Sequence, residues 1–77
     1  MDIIYSKSSV KTISKLDKET ARRIKNAIEK IPDGDIKKLK VYTKTYRLRV
    51  GDWRILFDVD TCIKILGILP RGQAYKK

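Results

Sequence analysis

From residue 45 onward apolar side chains recur at every second position. Tyr46, Leu48 and Val50 alternate with Arg47 and Arg49; Trp53, Ile55, Phe57 and Val59 alternate with Arg54, Leu56 and Asp58. A period of two predicts half-buried strands over about 45–50 and 53–59. Gly51-Asp52 between them has the composition of a two-residue hairpin turn. In that register Val50 faces Trp53 and Arg49 faces Arg54. Asp60-Thr61 predicts a second tight turn, followed by a third strand over about 62–69. There Ile63, Ile65 and Leu69 are expected on one face, and Leu66 and Ile68 on the other.

The N-terminal half has a different period. Residues 2–5 predict a short strand. Ser6 is placed to cap a helix that runs to about Lys15, with Val10, Ile13 and Leu16 spaced for one helical face. Asp17 is a second N-cap candidate. Behind it, Ala21, Ile24, Ile28 and Ile31 fall at i, i+3, i+7 and i+10, which predicts an amphipathic helix over about 18–31. "PDGD" (32–35) stops it. With almost no linker between them, the two helices predict a helical hairpin. The basic stretch "IKKLKVYTKT" then leads into the sheet.

These elements give a single α+β domain over 1–77, in the order β-α-α-β-β-β. The helical hairpin is expected to cover one face of an antiparallel sheet, because it is the other apolar surface available. The opposite face carries Arg47, Arg49 and Arg54 with Leu56, Asp58 and Lys64. Cross-strand Cβ atoms lie about 4.5–5.5 Å apart, and like charges opposite one another destabilise the pair. A face built this way is tolerable if it receives anionic phosphates. A solvated sheet face rich in Lys and Arg is the plainer reading.

Charge sharpens that choice. The chain has 77 residues and a formal net charge of +10. Residues 1–35 hold 8 basic and 6 acidic side chains, whereas residues 36–77 hold 11 and 3, and between Ile36 and Gly51 six basic residues stand with no acid. A solubility surface normally mixes signs. One this lopsided points to a polyanion or an acidic protein as partner. No histidine and one cysteine, Cys62, are present, which excludes a Cys/His zinc site and an intramolecular disulfide and suits a reducing cytosol. The four glycines form no phosphate loop. No metal and no cofactor are implied. No apolar run approaches the ~20 residues of a membrane span, and no secretory signal is visible, so the expected location is cytoplasmic.

After the third strand comes "LPRGQAYKK". Pro70 removes a backbone donor and ends the strand. Arg71 is then expected to project over the sheet edge with Tyr75 four residues on, a pair able to hold a phosphodiester and stack a base. A half-buried Tyr75 that closes the core is the alternative.

In order along the chain, "LDKETARRIKNAIEKI", "GDIKKLK", "YRLRVGDWRILFDVD" and "LPRGQAYKK" resemble the RelE toxins of the RelE/ParE superfamily, the toxin halves of type II toxin–antitoxin modules. The resemblance covers nearly the whole chain and is most specific in the third motif. It implies a small α+β domain with a helical hairpin on an antiparallel sheet. It also implies metal-independent cleavage of mRNA, typically in the ribosomal A site, by attack of a ribose 2′-hydroxyl on the adjacent phosphate. A cognate antitoxin would be the protein partner. The family's active positions fall here on Arg47, Arg49, Arg54, Arg71 and Tyr75. Relatives that cleave strongly often carry lysines where this chain has Arg47 and Arg49. Arginine stays protonated, so these two are expected to clamp the transition state rather than to take a proton. Tyr75 is then the expected proton acceptor or orienting group, and Arg71 the residue that neutralises or protonates the leaving 5′ oxygen. Two other functions fit the same superfamily: a ParE-like gyrase inhibitor acting by protein contact, and a protein that occupies RNA or the ribosome without cutting. The "PRGQAY" segment favours the RelE reading.

Overall fold

A computed structural model of the chain describes residues 2–39 and 44–70. Seven elements follow in order: β1 (Ile3–Tyr5), α1 (Lys7–Lys15), α2 (Lys18–Glu29), β2 (Asp35–Lys38), β3 (Thr45–Val50), β4 (Trp53–Val59) and β5 (Ile63–Pro70). The strands form one sheet in the order β1-β5-β4-β3-β2. Every pair is antiparallel except β1 with β5, which is parallel. The expected α+β architecture, a helical hairpin on an antiparallel sheet, is observed, with the parallel β1–β5 pair as the exception to the strand direction.

Both helices start where the capping chemistry expects. The Ser6 hydroxyl accepts from the Ser9 N–H at 3.1 Å, and the Asp17 carboxylate accepts from the Thr20 N–H at 3.0 Å. Each satisfies one of the donors that a helix start leaves without an intrahelical partner. Ile24 and Ile28 of α2 are fully buried and meet Leu48, Ile55, Phe57, Ile63, Ile65 and Ile68 in one core. Ile13, Leu16, Ala27 and Ile31 pack against its edge.

Three features depart from the alternation-based reading. The stretch after "PDGD" is not only a lead into the sheet. Its first residues form β2, antiparallel to β3, with Asp35 opposite Arg49, Ile36 opposite Leu48 and Lys37 opposite Arg47. The one apolar anchor of this strand, Ile36, is followed by two lysines, which leaves too short an alternation to stand out.

The second departure is in β5. Ile68 was expected on the face opposite Ile63 and Ile65, with Leu69 beside them. Instead Ile68 is 3% exposed in the core and pairs with Ile55, while Leu69 pairs with Arg54. The cause is an irregularity: Phe57 pairs with Ile65 but Leu56 pairs with Gly67, so Leu66 is an extra residue. One inserted residue exchanges the two faces for the rest of the strand. A bulge also frees backbone groups from the ladder, and α1 takes them up. Ile65 O accepts from the Ser6 N–H at 3.0 Å and from the Ser9 hydroxyl at 3.2 Å. Leu66 O accepts from the Ser6 hydroxyl at 3.0 Å.

That docking explains the third departure. Val10, expected on the buried stripe of α1, is 55% exposed, and Ser9 is sealed in its place. The helix lies close enough to β5 that a small hydroxyl side chain fits the contact and satisfies a carbonyl.

Candidate active site

The hairpin of β3 and β4 builds the candidate site. Gly51 has φ +57°, the left-handed conformation that a type II′ turn needs at its first central position. The turn fixes Val50 opposite Trp53, Arg49 opposite Arg54, Leu48 opposite Ile55 and Arg47 opposite Leu56. Leu48, Ile55 and Phe57 face the helices and are buried. Tyr46, on the same side, stacks on Phe57 at 5.6 Å between ring centroids, and Lys38 Nζ lies 5.9 Å from its ring. By strand alternation the arginines project from the other face.

The three arginines differ in environment. Arg49 is exposed and Arg54 half-buried. Arg47, flanked in register by Lys37 and Leu56, is 7% exposed. Among the described residues its Nε and Nη1 make no hydrogen bond. The carboxylate that approaches it is Asp35, with Oδ1 3.8 Å from Nη1. A buried cation ordinarily needs both a counter-charge and acceptors for its donors. Here the counter-charge is loose, the acceptors are missing among the described residues, and Nε and Nη1 are closed to solvent, so an oxyanion would meet fixed donors there only where a neighbouring group gives way.

The other acids of the face are occupied elsewhere. Asp58 accepts the Thr45 hydroxyl at 2.6 Å and lies opposite Lys64 in register. At the far turn Lys44 Nζ meets Asp60 at 2.9 Å. Asp60 raises the Lys44 pKa, and Lys44 lowers that of Asp60. Among the described residues no cluster of three or more Cys, Asp or Glu side chains is placed to hold a metal ion.

Arg47, Arg49 and Arg54 are thus brought to adjacent positions on one sheet face. Arg71 and Tyr75 lie outside the described residues. Asp35 and Lys37 were missed as members of the face because β2 was missed. The turn-forming "PDGD" followed by the lone apolar Ile36 between charged residues was the available signal.

Comparison with known proteins gives a consistent set of relatives. The family model described as the ParE toxin of the type II toxin–antitoxin system parDE matches residues 3–75. Toxin RelE3 of Methanocaldococcus jannaschii is 34% identical, over 97% of this chain and 96% of its own. A chain of the RelB–RelE antitoxin–toxin complex from Methanococcus jannaschii superposes with a TM-score of 0.76 at 31% identity, covering 94% of both chains. A chain of the archaeal RelE–RelB complex from Pyrococcus horikoshii OT3 also gives 0.76 at 31%, covering 94% of this chain and 96% of that one. The RelBE2 complex of Mycobacterium tuberculosis, at 20% identity and a TM-score of 0.68, shares the fold.

Proposed function

The chain belongs to the ParE toxin family of type II toxin–antitoxin systems and is a RelE-type toxin, and on that premise we propose that it is a metal-independent mRNA endoribonuclease acting in the ribosomal A site. The observation that carries this reading is Arg47: a nine-tenths buried cation on the sheet face away from the helices, between Lys37 and Leu56, with donors left over among the described residues. A side chain in that state fits a site that holds a phosphate more closely than it fits a solvated surface.

The scissile phosphate would lie over β3 and β4. Arg47 and Arg49 donate to its non-bridging oxygens and stabilise the extra negative charge as the 2′-hydroxyl oxygen bonds to phosphorus. Arg54, opposite Arg49, adds a third cation at the same end. Tyr75 accepts the 2′-hydroxyl proton or orients that group. The bond to the 5′ oxygen breaks, Arg71 neutralises the departing oxygen by its charge, and that oxygen takes its proton from water. The products are a 2′,3′-cyclic phosphate and a 5′-hydroxyl. Since arginine remains protonated at any working pH, the three sheet arginines and Arg71 act by charge and position, and taking up the 2′-hydroxyl proton falls to Tyr75.

The same reading includes a cognate antitoxin. The relatives of known structure are antitoxin–toxin complexes. The excess positive charge after residue 36 would draw an acidic chain and speed its association. Binding to the folded toxin alone would add to the stability of a small core.

A second reading is favoured by the ParE description of the matched family model: inhibition of gyrase by protein contact. Single-turnover cleavage of ribosome-bound mRNA, with gyrase supercoiling measured in parallel, separates the two. The expected result is cut mRNA with cyclic phosphate ends and unaffected supercoiling. A 5′-phosphate product would contradict 2′-hydroxyl attack, and inhibited supercoiling with intact mRNA would replace the ribonuclease reading by the second.

A further inference from the structure

Resting on the placement of a phosphate over the arginine face, we infer that Asp35 is an internal counter-ion of that face, which holds the cationic site in the free protein and is displaced by an incoming phosphate. Among the described residues Asp35 is the one carboxylate within 4 Å of Arg47, and in register it also lies opposite Arg49. It therefore sits against two of the three arginines.

The contact has the character of a placeholder. At 3.8 Å it is beyond hydrogen-bond distance, so it supplies charge without satisfying a donor. Arg47 Nε and Nη1 still lack acceptors among the described residues. Both atoms are closed to solvent with Asp35 in place, so a phosphate reaches them only as Asp35 leaves, and its several oxygens can then supply both charge and acceptors. The Asp35 side chain is 60% exposed against 8% for Arg47, so it can turn out to water while the guanidinium stays in place.

Its position makes such an exchange easy. Asp35 opens β2, an edge strand, so its departure disturbs no second ladder. The backbone before it is fixed independently. Gly34 has φ +122°, and a Cβ there would stand 3.1 Å from Leu48 Cδ1. Glycine thus sets the entry of β2 on the core side, and Asp35 projects on the other.

A structural ion pair and a displaceable counter-ion predict opposite signs for binding. Losing a structural partner would disorder Arg47 and weaken anion binding. Losing a competitor strengthens it. The test uses the full chain with pyrophosphate and with an all-2′-deoxy oligonucleotide, which 2′-hydroxyl attack cannot cut, both titrated by calorimetry. Asp35→Asn should bind both probes about fivefold more tightly than the parent, equivalent to about 1 kcal/mol at 1.4 kcal/mol per tenfold. Asp35→Glu, which keeps the charge, should stay within about twofold. Asp2→Asn, the same change of net charge beyond the opposite sheet edge, should also leave binding near the parent. Without ligand Asp35→Asn should melt below the parent, and saturating pyrophosphate should raise its melting temperature by more than it raises the parent's. Asp35→Ser should repeat the sign should the amide itself interfere. Equal, weaker or absent pyrophosphate binding in Asp35→Asn and Asp35→Ser, or an equal gain in Asp2→Asn, would overturn the inference. RNA cleavage by the same proteins is scored separately: without it the ribonuclease reading fails, while the pyrophosphate titration still decides the role of Asp35.

Discussion

On one side of the sheet Leu48, Ile55, Phe57, Ile65 and Ile68 lie beneath two helices, each with 3% or less of its surface exposed. On the other side of the same strands, one residue away along the chain, Arg47, Arg49 and Arg54 stand at adjacent positions. The first face lowers the free energy of the fold by removing apolar area from water. The second raises it by bringing cations together. A strand puts successive side chains on opposite faces, so each requirement is met by its own half of the residues. In this 77-residue chain, stability and the proposed chemistry are thereby separated by side rather than by region.

The separation predicts that substitutions on the two faces differ in kind. The largest effect is expected at Phe57, 1% exposed at the centre of the core. Phe57→Ala should destabilise by about 3–5 kcal/mol, which is most of the stability of a domain this small. Chemical denaturation should show the midpoint collapsing. A small shift would mean that the core does not carry the fold.

A smaller effect of opposite sign is expected at Arg49. Arg49→Leu removes the charge facing Arg54 and leaves Asp35 to Arg47. Relief of about 0.5 kcal/mol of cross-strand repulsion should raise the melting temperature by a few degrees, at roughly 4–8 °C per kcal/mol for a domain this size. A clear drop would show that Arg49 is held by its surroundings and not opposed by them.

The smallest effect concerns pH and lies away from both faces. The Thr20 hydroxyl and N–H hold the Asp17 carboxyl below its ordinary range. A carboxyl whose pKa is lowered by folding contributes stability above its unfolded pKa, near 4, and loses it as pH falls through the folded value. Melting temperatures followed from pH 6 to pH 2 should fall more steeply in the parent than in Asp17→Asn. Identical slopes would mean that the cap does not contribute.

Much of this division was legible in the sequence. Alternation over 45–59 placed Leu48, Ile55 and Phe57 inside and the arginines outside, and the Gly-Asp turn fixed the apposition of Arg49 and Arg54. The caps at Ser6 and Asp17 were legible because capping is local chemistry. What escaped was set by tertiary context. The bulge at Leu66 moved Ile68 into the core, and nothing in "KILGIL" marks which residue is extra until β4 is laid beside it. Strand β2 escaped because this edge strand half-buries one side chain, Ile36, and its lysines hide the period. With β2 went Asp35 and Lys37, so the sequence showed the cations of the face without the carboxylate that meets them. The burial of Arg47 was not legible either, since alternation gives a side and not an environment.

The claim that the arginine face is chemical and not structural is tested most directly by Arg54→Ala, with single-turnover mRNA cleavage and the melting temperature measured on the same preparation. Loss of one donor to a transition state typically costs about 2.7–4 kcal/mol of barrier, a factor of about 10²–10³ in rate. The expected result is a rate lowered by that factor in a protein that melts no lower than the parent. A variant that cleaves at the parental rate, or one that loses cleavage only because it has lost its fold, would contradict it.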